Sequence, residues 1–267
     1  MFSQTDYQWF DKEGKKIDVK NVYDDMRNYD IIFFGEIHDC AIAHHFEEDF
    51  LKFLYNENHD RLVLGLEMFE ADNQTIMNEY VHKYITTKNF EDEARLWKNY
   101  KTDYKPLIEF SRENNINVVA SNIPRRYASK VFNDGIESLN DLPKPSKEYI
   151  AKLPIKYDGT LSQYAAMKEM AGHESSENFP MSQAIKDATM AHFIAMQFKK
   201  DTKFLHINGA YHSDFHQGIL WYLNQLKPKA KMLTISTTYQ TSLETLDSEN
   251  IERADYILVV KETETQD

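Results

Sequence analysis

Three apolar runs in this chain end in ionisable side chains, and those side chains are the residues best suited to chemistry. The run from Ile31 to Phe34 passes through Gly35 into Glu36 and His38. The run from Leu62 to Leu66 ends in Glu67, and the run from Phe204 to Ile207 leads to His212. If the first run is a strand, Glu36 and His38 share a face, because alternate residues of a strand point the same way. Carboxylates and imidazoles at the ends of buried strands are costly unless they have a partner or a task. Two kinds of chemistry suit Glu36, His38, Glu67 and His212. A mixed nitrogen and oxygen set can hold Zn, Mn, Fe or Co. The same set can act as acid and base, a carboxylate orienting a histidine whose ordinary pKa lies near neutrality. A polar cluster that staples strand ends is the third reading. The spacing matches no standard metal signature such as HExxH.

Other titratable residues are weaker candidates. His44 and His45 open the segment after the first run, and neighbours on a helix point about 100° apart, so only one of them can face a common site. His192 and His216 stand alone, and His206 sits within an apolar strand pattern with Asn208. The one cysteine, Cys40, excludes an intrachain disulfide and reads as a small buried side chain. Arg125-Arg126 can grip a carboxylate or phosphate with forked donors, or form a solvated helix face. No GxSxG, P-loop or GxGxxG pattern is present, which excludes a serine-hydrolase elbow, a Walker nucleotide site and a Rossmann fingerprint.

The elements that must position these residues follow from the hydrophobic pattern. Strands are expected at 31–36, 61–68, 116–121, 203–208, 231–236 and 255–260, with helices at 41–58, 72–85, 89–97, 105–113, 181–199 and 215–226. Residues 1–30 read as a hairpin or loop and a short helix. Gly35 is expected to let the chain turn at the strand end. Strands alternating with helices give an α/β fold with a largely parallel central sheet, flanked by helices. In such sheets ligands sit at the carboxyl ends of the strands, where the ionisable residues lie. Residues 124–180 hold five of the seven prolines and no clear strand, and read as a smaller helical insertion subdomain between core segments 1–123 and 181–267.

With 267 residues the chain can bury a large core. The net charge of −12 and the pI near 5.3 argue against nucleic acid as a partner. Sixteen Tyr, 16 Phe and 3 Trp suit a Tyr-rich core or a flat ligand surface. No apolar run reaches the roughly 18 residues of a membrane span. The first residues lack a basic and apolar leader, so the expectation is a cytoplasmic protein or one whose signal has been removed.

Taken in series, Gly35-Glu-Ile-His38, His44-His45, Gly65-Leu-Glu-Met-Phe69, Asn122-Ile-Pro-Arg125, Asp187-Ala-Thr-Met-Ala191 and Asn208-Gly-Ala-Tyr-His212 resemble the ChaN-type haem-binding uptake proteins. The match runs along most of the chain, roughly 31–226. The resemblance implies a haem-binding protein of iron and haem acquisition, with an α/β core and a helical subdomain. It also implies a homodimer that sandwiches haem, and a lipoprotein of the bacterial envelope whose lipid anchor is absent from this sequence. His44, His45, Arg125, Arg126, Tyr164 and Tyr211 are then the candidate haem contacts. A tyrosine iron ligand is implied, for which Tyr157, Tyr164 and Tyr211 are the candidates. The wider group is similar to Tiki-type metalloproteases and erythromycin esterases. There the residues matching Glu36, His38, Glu67 and His212 serve hydrolysis. The alternative is therefore a metal- or histidine-dependent esterase or peptidase.

Overall fold

Ile31, Ile32, Phe33 and Phe34 are all fully buried, and their alternation sets the layers of the protein. Ile32 and Phe34 join one apolar cluster, Ile31 and Phe33 another. A strand apolar on both faces belongs in the middle of a parallel sheet covered by helices on both sides. The computed structural model, which describes residues 3, 5–170 and 178–262, shows that arrangement.

The strands are β1 (Tyr7–Asp11), β2 (Lys16–Ile17), β3 (Ile31–Glu36), β4 (Leu62–Glu70), β5 (Asn117–Asn122), β6 (Lys203–Gly209), β7 (Met232–Gln240) and β8 (Tyr256–Lys261). They form one sheet in the order β2-β1-β8-β7-β3-β6-β4-β5. From β8 to β5 every pairing is parallel, while β1 runs antiparallel to both β8 and β2. The sheet is thus largely parallel.

The helices are α1 (Val19–Met26), α2 (Ala41–Asn58), α3 (Gln74–Val81), α4 (Thr87–Glu93) and α5 (Lys105–Asn114). They are followed by α6 (Arg125–Asp134), α7 (Ser162–Met170), α8 (Asn178–Gln197) and α9 (Ile219–Leu226). One face of the sheet is covered by α1, α2, α3 and α5, through residues such as Met26, Phe50, Met77 and Ile108. The other is covered by α8 and α9, through Met190, Ile194, Ile219 and Leu223. Between β5 and α8, α6 and two short 3₁₀ segments pack an apolar cluster against Ile185 of α8. Tyr164 and Met167 of α7 pack against Ala184 of the same helix.

Several element ends depart from the sequence reading for local reasons. The helix expected from 72 begins at Gln74, after a 3₁₀ turn at Ala71–Asn73. Helix α4 begins after Thr86, whose hydroxyl accepts from the Asn89 amide as an N-cap. The helix expected from 215 begins at Ile219, because Phe215, His216 and Gly218 all have positive φ. Gly35 does not turn the chain through a positive φ. A side chain there would press to 2.8 Å from Ala210 Cα and 3.0 Å from the Ile235 carbonyl, so glycine serves close approach of three strand ends.

Candidate functional site

Strands β3, β4 and β6 end side by side, and their carboxyl ends open on a cleft of about 650 Å³. Glu36, His38, Glu67 and His212 all line it, together with Arg125, Tyr211, Trp97, Gln183, Lys186 and Arg253. This volume lies within the range of roughly 300–1,000 Å³ usual for small-molecule sites.

Two groups of charges meet at the cleft. In the first, the His38 Nδ1–H donates to Glu36 Oε1 at 2.6 Å. The Tyr104 hydroxyl donates to the same oxygen at 2.7 Å. Tyr104 closes a short π-helical turn, Tyr100–Tyr104, which also carries Asp103. Glu36 Oε2 lies 3.3 Å from His44 Nδ1, which lies 3.2 Å from Glu47 Oε2. His44 and Glu47 are three residues apart on α2, a spacing that puts both on one helix face. Burial works to raise the Glu36 carboxyl, but hydrogen bonds from His38, His44 and Glu47 bring it down to about 2. Burial and the adjacent Glu36 charge push Glu47 well above the usual carboxylate range. Burial opposes charge on His44, yet its hydrogen bonds to Glu36 and Glu47 raise it to about 11.

In the second group His212 is clamped between two carboxylates. Its Nε2 lies 3.1 Å from Glu67 Oε1 and its Nδ1 lies 2.5 Å from Asp187 Oδ1. The Gly209 amide donates to Glu67 Oε2 at 2.7 Å, and the Tyr164 hydroxyl donates to Asp187 Oδ2 at 2.6 Å. The Gln183 amide nitrogen sits 3.1 Å from both ring nitrogens of His212. Burial alone would discharge His212, but the Glu67 and Asp187 charges hold its pKa up at about 10. Burial alone would raise Glu67, and the His212 charge lowers it instead to about 2. Burial lifts Asp187 above its ordinary value against the pull of His212. His212 is therefore an imidazolium at neutral pH and a poor general base.

His38 differs. Its ring is half exposed and stands edge-on to Trp97, with centroids 4.9 Å apart. Its Nδ1 is committed to Glu36, which leaves Nε2 as the nitrogen available to the cleft. Burial lowers its pKa, but the Glu36 hydrogen bond and the Glu67 charge outweigh that, and the net shift is upward. A side chain on Gly209 would come within 2.9 Å of this ring, so glycine there makes its space.

The remaining candidates separate in space. Arg125 reaches the cleft from the start of α6, and Tyr211 lines it while its hydroxyl donates to the Gln163 carbonyl at 2.8 Å. Arg126 instead pairs with Asp72 at 2.6 Å and lies over the Tyr127 ring. His44 is buried behind Glu36, whereas His45 is exposed on the other side of α2, 3.5 Å from Asp49. Tyr164 is buried beneath Asp187 rather than in the cleft. His206 is fully buried between Ser121 and Asn208, and His216 pairs with Asp255 at 3.3 Å. Glu47, Asp187, Gln183, Tyr104, Lys186 and Arg253 were not read from the sequence as site residues. A signal existed for two of them. Glu47 follows His44 at helical spacing, and Asp187 is the one charge among the buried positions of α8.

Among the described residues, one group of three has possible ligand atoms all within 4.8 Å of one another: Glu36, His44 and Glu47. The strand-end residues Glu36, His38, Glu67 and His212 instead resolve into two hydrogen-bonded pairs.

Comparison with known proteins places this geometry in a family. A family model described as haem-binding uptake, Tiki superfamily, ChaN matches residues 22–223. The structure titled "Cofacial heme binding to ChaN of Campylobacter jejuni" superposes with a TM-score of 0.73 at 18% identity, covering 98% of this chain and all of that one. An erythromycin esterase in its open conformation gives 0.51 at 12% identity, over 95% of this chain and 83% of the other. A Bacillus cereus protein also gives 0.51 at 12%, over 96% and 95%. At such identities these likenesses concern the fold. The Arabidopsis thaliana protein RETICULATA-RELATED 5, chloroplastic, is 25% identical over 130 residues, 46% of this chain and 18% of that protein, so the chain spans about a fifth of that relative.

Proposed function

Because the chain belongs to the ChaN-type haem-binding uptake family of the Tiki superfamily, we propose that it binds haem in the strand-end cleft and serves haem or iron acquisition. The cleft's donor set suits the group. A haem site needs an axial ligand, apolar walls and cations for the propionates. His38 offers Nε2 at the mouth of the cleft, with Nδ1–H held by Glu36. A histidine whose other nitrogen donates to a carboxylate is oriented and made more basic as a ligand. Trp97, Ile37 and Ile123 give the cleft apolar surface. Arg125 and Lys186 supply positive charge to the lining of the cleft. Tyr211 is the tyrosine candidate that lines the cleft. The observation that carries the reading is this half-exposed, carboxylate-held histidine within a family of haem-binding proteins. Its test is titration of purified protein with haemin: saturation with a shifted Soret band supports it, and absence of saturation at micromolar concentration removes it. A homodimer closing two such clefts on haem, and lipid anchorage at an envelope membrane, extend the same reading.

A second reading, hydrolysis, is favoured by one specific feature. His38, held through Nδ1 by Glu36, presents Nε2 to the cleft, where it can accept a proton from water. Esterase and peptidase assays with His38→Ala as control decide whether any such activity belongs to this site.

A further inference from the structure

We propose that Glu36, His44 and Glu47 hold one divalent transition-metal ion, buried behind the cleft floor and distinct from the Glu67–His212–Asp187 row. The His44 Nε2 faces two acceptors, the His38 carbonyl oxygen at 3.3 Å and Asp103 Oδ2 at 3.6 Å, and keeps a hydrogen for them. Its Nδ1 faces two carboxylates, Glu47 Oε2 at 3.2 Å and Glu36 Oε2 at 3.3 Å, and without an ion it carries a second hydrogen toward them. A divalent ion between the three atoms would displace that hydrogen and take the Nδ1 lone pair and both carboxylates as ligands. Ligand atoms about 2.0–2.1 Å from a tetrahedral ion lie about 3.3 Å from one another, and these two separations agree with that spacing.

The surrounding groups are those of a supported metal site. Glu36 Oε1 is already taken by His38 and Tyr104, which leaves Oε2 for the ion. Glu36 Oε2 is buried with only the 3.3 Å approach of His44 Nδ1, and Glu47 Oε1 is buried without a hydrogen-bond partner. Glu47 is wholly buried and Glu36 nearly so, and buried polar atoms in a well-packed protein are rarely left unmet. Two carboxylates and a divalent ion sum to zero charge, which removes the penalty of burying net charge. Two carboxylates with one imidazole suit Zn, Mn, Fe or Co rather than Ca or Mg. Glu36 lines the cleft, which gives the ion a route inward. Bound there, the ion would fix Glu36 and through it the His38 ring.

The test is made on the full chain, stripped of metal with a chelator, free of any histidine tag and without haemin. Co²⁺ is titrated and followed by its visible absorption, then competed with Zn²⁺. The expected result is saturation at one ion per chain, with affinity reduced about 100-fold or more in Glu47→Gln. Glutamine keeps the shape of glutamate, and the urea midpoint of the chelator-treated variant is measured beside the wild type to show that it folds. His44→Gln is a second variant with the same expected loss. Glu67→Gln should bind Co²⁺ as the wild type does. The proposal is overturned if no saturation occurs, if Glu47→Gln and His44→Gln bind normally, or if Glu67→Gln is the variant that loses the ion.

Discussion

Glu36 and His38 meet across a single residue, with the His38 Nδ1–H donating to Glu36 Oε1 at 2.6 Å. Glu36 ends β3 and His38 lies in the turn just beyond it, where the chain still aims both side chains the same way. The pair fixes which nitrogen of His38 faces the cleft. Everything proposed for the site depends on that orientation.

Replacing Gly209 with alanine tests the orientation without attacking the fold. Gly209 has φ −56° and ψ 136°, which alanine adopts freely. Its new methyl group would lie 2.9 Å from His38 Cε1, and a half-exposed ring can move aside. Unfolding free energy is expected to stay within about 1 kcal/mol of wild type, since a tolerated Gly→Ala gains roughly what the displaced ring loses. Haemin affinity should fall together with the change in the His38 NMR signals. Unchanged His38 signals would contradict the close approach.

Asp187→Asn is expected to be costly to stability. It removes the negative charge 2.5 Å from a buried imidazolium. Breaking one side of a buried pair costs on the order of 3–5 kcal/mol. Tyr164→Phe removes one neutral donor to the same carboxylate and should cost about 1 kcal/mol. Urea unfolding of the two variants ranks them, and the reverse order would show that the charge on Asp187 is not what secures His212.

Stability should decline at both ends of the pH scale for reasons local to this row. His212 is held at about 10 against an ordinary value of 6.5. A raised histidine stabilises fully below its unfolded pKa, and the contribution is lost as pH rises from 6.5 through about 10. Glu67 is depressed to about 2 from 4.5, so its contribution is complete above 4.5 and is lost as pH falls toward 2. Urea midpoints measured across pH should flatten on the alkaline side in His212→Gln. An unaltered alkaline limb in that variant would assign the loss to other groups.

Much of this architecture was readable from residue order, and the exceptions have physical causes. Ile31 to Phe34 announce a strand buried on both faces, and the observed β3 has the expected limits. Helix α2 spans 41–58 as its aromatic spacing suggests. The ends at Gln74 and Ile219 shifted because a 3₁₀ turn and a run of positive φ values intervene, and neither alters hydrophobic period. The convergence of Glu36, Glu67 and His212 follows from strand ends in a parallel sheet. Asp187 and Glu47 come from helices instead, and which helix face meets a strand end is a property of packing. The pattern showed Asp187 as an oddly charged position, but its partner His212 lies 25 residues away in the chain. Arg125 and Arg126 are adjacent in sequence, yet Asp72 and the Tyr127 ring claim Arg126 while Arg125 lines the cleft.

Charge in the cleft should matter for an anionic ligand. Arg125→Ala leaves the acidic rows intact and is expected to weaken haemin binding about 5- to 10-fold, the order of one ordinary hydrogen bond's net contribution. The effect should shrink at high salt. A salt-independent change would point away from the propionates.

The most direct test of the account is the visible spectrum of the haemin complex in wild type, His38→Ala and Tyr211→Phe. With His38 Nε2 as axial ligand, the wild type shows a saturable, histidine-like Soret band, His38→Ala loses it, and Tyr211→Phe keeps it. A wild-type complex whose spectrum is the same in His38→Ala would contradict the central claim that the Glu36-held histidine is what the cleft presents to haem.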